Sequence, residues 1–102
     1  MIKISKNGDQ VIVKPGVDLV ASMANEFRSQ LQGLVQESPK MIVIDLSGVK
    51  MVDSVGIGVI IATHNSLKKS DGELLLTNVA NDIFKLFNTM RLDHHFTIEK
   101  RE

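Results

Sequence analysis

Met41-Ile42-Val43-Ile44-Asp45-Leu46-Ser47-Gly48-Val49-Lys50-Met51-Val52-Asp53-Ser54-Val55-Gly56 begins as four consecutive apolar residues and ends in a serine-bearing turn. A short apolar run bounded by turn residues reads as a central strand buried on both faces. Asp45-Leu46-Ser47-Gly48 leaves that strand, and Met51-Val52 leads into Asp53-Ser54. Beyond it the period changes. Ile57, Ile60, Ile61 and Leu67 recur at helical steps, so a helix is expected from about Ser54 to Lys69.

Upstream, Ile2 and Ile4 alternate with polar residues, as do Val11 and Val13. Between them lies Lys6-Asn7-Gly8-Asp9, where Asn-Gly signals a tight hairpin. After Pro15-Gly16, the residues Leu19, Val20, Met23, Phe27, Leu31 and Leu34 suggest a helix with one apolar face, ended by Glu37-Ser38-Pro39. Downstream, Asp71-Gly72 is a turn and Leu74-Leu75-Leu76 another buried strand. A third helix would carry Ile83, Leu86, Phe87 and Met90. Phe96-Thr97-Ile98 would close the sheet. The order β-β-α-β-α-β-α-β predicts an α/β fold, a mixed but mostly parallel sheet opened by a hairpin, with helices packed on it.

The 102 residues fit a single domain, 1–102. At 43% hydrophobic and 24% charged residues, the chain can bury a core unaided. The absence of cysteine excludes disulfides and thiol chemistry and fits a reducing cytoplasm. Twelve basic and twelve acidic residues cancel, so charge points to no nucleic-acid and no direct membrane partner. Met1-Ile2-Lys3-Ile4-Ser5 runs straight into a strand pattern, so no leader is expected. The apolar stretch from Val55 to Ala62 is too short to span a bilayer.

Open α/β sheets gather their sites at the C-terminal ends of strands. Those ends carry Asp18, Asp45 and the Asp53-Ser54 turn. Ser54 stands where a helix begins, and a plain N-cap is one reading of it. Gly56 and Gly58 support another. They leave the helix start bare, open to a close backbone approach, and that suits partner docking and modification. A phosphate there would add about −1.5 to −2 charges, favoured by the helix N–H groups and opposed by Asp53.

Nucleophilic catalysis fits poorly. Val52 stands where a hydrolase elbow has its first glycine. His64 lies nearly three turns along the helix, and His94 and His95 lie in a polar turn. Asp45 ends a strand as a receiver-domain phospho-acceptor does, but a turn aspartate bonding local N–H groups accounts for it better. His94-His95 reads as surface rather than metal-binding. No phosphate loop occurs, and no cofactor is expected.

The segment Ile44 to Val59 closely resembles the signature of STAS domains of the anti-anti-sigma factor type, roughly D-L-S-x-V-x-x-[LIM]-D-S-[ST]-G-[LI]. Asn78-Val79, the helix leading to Leu92-Asp93, and Phe96 resemble the family's C-terminal third. The resemblance implies a non-enzymatic, cytoplasmic regulator. Its unmodified form would bind a GHKL-type serine kinase that is also an anti-sigma factor. The kinase would phosphorylate Ser54 and release the chain, and a metal-dependent serine phosphatase would restore it. The implied docking surface holds Asp18, Asp53, Ser54, Val55, Gly56 and Ile57. A scaffold or accessory subunit of a stressosome or lipid-transport complex, needing no phosphorylation, is the alternative. The chain departs from the pattern in three places. Gly16-Val17-Asp18-Leu19 exchanges an Asp and a Leu. Val55 replaces a common Ser or Thr. Arg91 replaces a glycine before the last strand.

Overall fold

The computed structural model describes residues 2–101, so Met1 of the opening strand pattern lies outside the described residues. Strands β1 (Lys3–Asn7) and β2 (Gln10–Lys14) form the expected hairpin. Its two linking residues are Gly8 and Asp9, with Asn7 paired to Gln10. The turn thus falls one residue later than Asn-Gly suggested. Gly8 supplies the single positive φ, 64°, that a primed turn needs at its first central position.

Helix α1 spans Ala21–Val35, followed by β3 (Met41–Asp45), α2 (Ser54–Lys69), β4 (Glu73–Val79), α3 (Asn81–Thr89) and β5 (Thr97–Lys100). A short 3₁₀ turn, Leu92–His94, separates the last two. The five strands lie in the order β1-β2-β3-β4-β5, antiparallel only in the first pair. The fold class expected from the chain is therefore the one observed, with β3 at the centre.

Register explains the core. Val11 lies beside Ile42, and Ile42 beside Leu74; Val13, Ile44 and Leu76 form the next row. All six are buried. A sequential parallel order with right-handed crossovers places the helices on one face of the sheet. They bring Phe27 and Leu31 from α1, Ile60 and Leu67 from α2, and Phe87 from α3 onto those rows. Burying one such side chain contributes about 1.5–3 kcal/mol.

Several apolar residues depart from the expected helical stripes. Leu19 precedes α1 and forms a parallel bridge with Val52. Leu86 and Met90 are exposed, leaving Ile83 and Phe87 to anchor α3. Ile61 is only partly buried, and Val59 takes its place in the stripe. α1 ends as expected. The N–H of Ser38 bonds to Val35 O, and Ser38 turns into the left-handed region before Pro39.

Candidate functional site

Two loops meet beyond the C-terminal ends of β2 and β3. The first holds Asp18 and Leu19, the second Lys50 to Asp53. Leu19 N–H donates to Met51 O at 3.0 Å, and Asp53 N–H donates to Leu19 O at 3.1 Å. Asp18 reinforces the seam: its Oδ1 accepts from the backbone of Lys50 at 2.8 Å and Met51 at 3.1 Å. Asp18 thus ties the two loops together through one of its two carboxylate oxygens.

The helix start differs from the N-cap reading of Ser54, because Asp53 is the cap. Its Oδ1 accepts from Val55 N–H at 3.0 Å and Gly56 N–H at 2.9 Å. Its Oδ2 accepts from Ala21 N–H, the first residue of α1, at 2.9 Å. The residue before Ala21 is Val20, which offers α1 no side-chain cap. One carboxylate therefore caps two helices from one point. The Gly56 N–H is the main cause holding the Asp53 carboxyl below the usual carboxylate range, with those of Ala21 and Val55 adding to it. These N–H groups are consequently occupied, not free for a phosphate on Ser54 as the bare-helix picture supposed.

Ser54 occupies the first helical position and is exposed. Beside it, Val55 is 39% exposed and Met51 58% exposed. Both are exposed apolar side chains within three residues of Ser54 in the chain. Gly56 and Ile57, expected on the docking surface, are buried. A Cβ on Gly56 would lie 2.2 Å from the Leu19 carbonyl oxygen, so the close backbone approach that Gly56 permits comes from this chain's own loop. Gly58 is the glycine that leaves open space. Met51 was not among the expected site residues. Its signal was position: an apolar residue beside Val52, which the bridge to Leu19 turns inward.

The other candidates separate from this site. Asp45 accepts from Ser47 N–H and from Asn78 Nδ2, both at 2.9 Å, as a turn aspartate does. Burial pushes its carboxyl up, but the bonds from Asn78 and Ser47 outweigh that and leave it below its ordinary value. His64 lies ten residues along α2 from Ser54, buried near His95 and Phe96. His94 is exposed, 4.0 Å from Asp93. Among the described residues, no group of three or more His, Cys, Asp or Glu side chains is placed to hold a metal ion. No helix among them is long and apolar enough to cross a membrane.

The sequence profile of the STAS domain matches residues 1–102. The anti-sigma-B factor antagonist of Staphylococcus aureus is 31% identical over 75 residues, which cover 74% of this chain and 69% of that protein. The anti-sigma-B factor antagonist of Bacillus subtilis is 29% identical over 87 residues, 85% of this chain and 77% of that protein. Solved structures share the fold. An anti-sigma factor antagonist from Thermotoga maritima superposes with a TM-score of 0.91 at 23% identity, covering 97% of this chain and 86% of that one. The Bacillus cell fate determinant SpoIIAA in its phosphorylated form superposes at 0.78 with 15% identity, covering 96% and 90%. With a profile match along its whole length and relatives of this kind, the chain belongs to the STAS domain family, in the branch of the anti-sigma factor antagonists.

Proposed function

We propose that this chain is a phosphorylation-switched anti-sigma factor antagonist of the cytoplasm, a substrate rather than an enzyme. Unmodified, it binds a GHKL-type serine kinase that also serves as an anti-sigma factor. The kinase moves the γ-phosphoryl group of ATP onto Ser54 Oγ, ADP leaves, and the hydroxyl proton passes to a base of the kinase. The phosphorylated chain is released, and a metal-dependent serine phosphatase returns it to the binding form.

The observation that carries this reading is the division of labour in the turn. Asp53 caps the helix, so the exposed Ser54 hydroxyl has no capping duty. Met51 and Val55 offer a partner exposed apolar side chains close in the chain to a neutral hydroxyl. A phosphate adds about −1.5 to −2 charges at that point. Asp53 is held ionised beside it and already occupies the nearest helix N–H groups. The new charge is therefore poorly compensated within this chain, and a surface fitted to the neutral form rejects it.

The test is incubation with the cognate kinase and ATP, followed by intact-mass and binding measurements. Phosphate is expected on Ser54. Ser54→Ala binds but takes no phosphate, and Ser54→Asp fails to bind. Equal binding by both variants, with no phosphate on the wild type, overturns the proposal.

A further inference from the structure

Val43 is 6% exposed, yet it is not part of the core beneath the helices. It belongs to the other face of the sheet. Alternation along each strand turns Val11, Ile42, Leu74 and Ile98 toward the helices and their chain neighbours away from them. On that far side the strand pairing makes one continuous row, Ser5, Ile12, Val43, Leu75 and Thr97. Met41 stands on the same side of β3, one row nearer the N-terminal end. Ile12, Met41 and Leu75 are only half-buried. Because all three crossovers lead to the same side, no helix packs on these four apolar side chains.

The next row, toward the C-terminal ends, carries Lys14 on β2, Asp45 on β3, Thr77 on β4 and Glu99 on β5. Lys14 and Glu99 are exposed, and neither is within ion-pair distance of an opposite charge among the described residues. Positive charge thus stands at the β2 end of the row and negative charge at the β5 end.

Such a face is complementary to itself. A two-fold axis parallel to the strands, running between β3 and β4, sets β2 against β5 of a second copy and β3 against its β4. Lys14 then faces Glu99, Val43 faces Leu75, Ile12 faces the Thr97 methyl and Asp45 faces Thr77, each contact occurring twice. An axis along β3 would oppose two Asp45 carboxylates, and an axis across the strands would set Asp45 on Met41. Sheets stacked with nearly aligned strands pack about 10 Å apart. Four strands about 4.8 Å apart and three rows of side chains make a face roughly 20 Å square. Two such faces bury about 800–1,000 Å² together, the size of a weak, reversible interface.

We infer that the uncovered sheet face joins two copies of this chain in a weak homodimer, with Val43 and Leu75 at its centre and Lys14–Glu99 pairs at its rim. Ser54 begins α2, on the covered side of the sheet, so both copies keep that turn free. The dimer does not depend on phosphorylation of Ser54.

Sedimentation equilibrium of the full chain, from about 10 μM to 1 mM, tests the inference, with a dissociation constant expected on the order of 100 μM. Leu75→Asp should abolish association. Lys14→Glu and Glu99→Lys should each weaken it about tenfold, because two rim pairs turn repulsive in every dimer. Lys14 and Glu99 are exposed, so these variants keep the test open if Leu75→Asp folds poorly. An equal mixture of the two charge variants should associate as the wild type does, since each copy then meets opposite charges. Val55→Glu, outside this face, should leave association unchanged. A wild type that stays monomeric throughout leaves the face to some other partner and overturns the inference. So does a dimer indifferent to Leu75→Asp and Lys14→Glu, or a mixture no stronger than either variant alone.

Discussion

The carbonyl oxygen of Leu19 fills the space that a side chain on Gly56 would need, 2.2 Å from where its Cβ would stand. That oxygen also accepts the Asp53 N–H, so it cannot retreat without breaking the seam between the loops. Gly56→Ala should therefore cost about 2–3 kcal/mol, the overpacking cost of a site that cannot relax. Gly58→Ala, two residues on, meets open space on an exposed helix face and should stabilise by about 0.5–1 kcal/mol. Urea denaturation of the two variants checks the contrast, and equal effects would refute the role given to Leu19.

Asp53 makes the fold acid-sensitive in a defined sense. Its carboxyl is held low in the folded state, chiefly by the Gly56 N–H. Its stabilisation is thus present in full above the unfolded-chain value near pH 4 and is lost as pH falls through the lower folded value. Asp53→Asn should flatten that part of the stability-versus-pH curve. It should also raise amide exchange at Ala21, on the other helix, as well as at Val55 and Gly56. Protection unchanged at Ala21 would show that the carboxylate does not cap α1.

Arg91 adopts a φ of 60°, just past the end of α3. This is the left-handed position that glycine usually takes at a helix end. Arg91→Gly should stabilise the chain by about 1 kcal/mol, the strain an L side chain carries there. A thermal-unfolding midpoint that falls instead would mean that the arginine side chain contributes more than the strain removes.

Met51 and Val55 are exposed apolar residues with no core duty. Met51→Glu and Val55→Glu should change stability by no more than about 0.5 kcal/mol. Each should weaken binding to the kinase at least tenfold, a loss of about 1.4 kcal/mol. Paired denaturation and binding measurements separate the two effects.

The strands, the three helices and the start of α2 at Ser54 were legible because each depends on local pattern. Ile42 to Ile44 form an uninterrupted apolar run, and Ile57, Ile60 and Leu67 keep helical spacing. What escaped depends on the partner across space. Leu19 has the spacing of α1, but its bridge to Val52 is made by a residue 33 positions away. Leu86 and Met90 fit the α3 stripe, yet that face is wider than what the sheet covers. Asp53 and Ser54 are both good caps by type. The Ala21 N–H, reached only through the fold, leaves Asp53 with bonds that serine could not match. Gly56 was recognised as a place for close approach, but the approaching chain is Leu19 of the same molecule.

The double cap has a consequence for how Ser54 can be read. A peptide spanning the turn would contain Asp53, Ser54 and Gly56 but neither Leu19 nor Ala21. It would lose the bridge, the second capped helix and the Asp18 tie. The shape around the hydroxyl is therefore a property of the assembled molecule. A kinase that acts on Ser54 as proposed would pass over newly made or damaged chains, and phosphate on Ser54 would then report correct assembly.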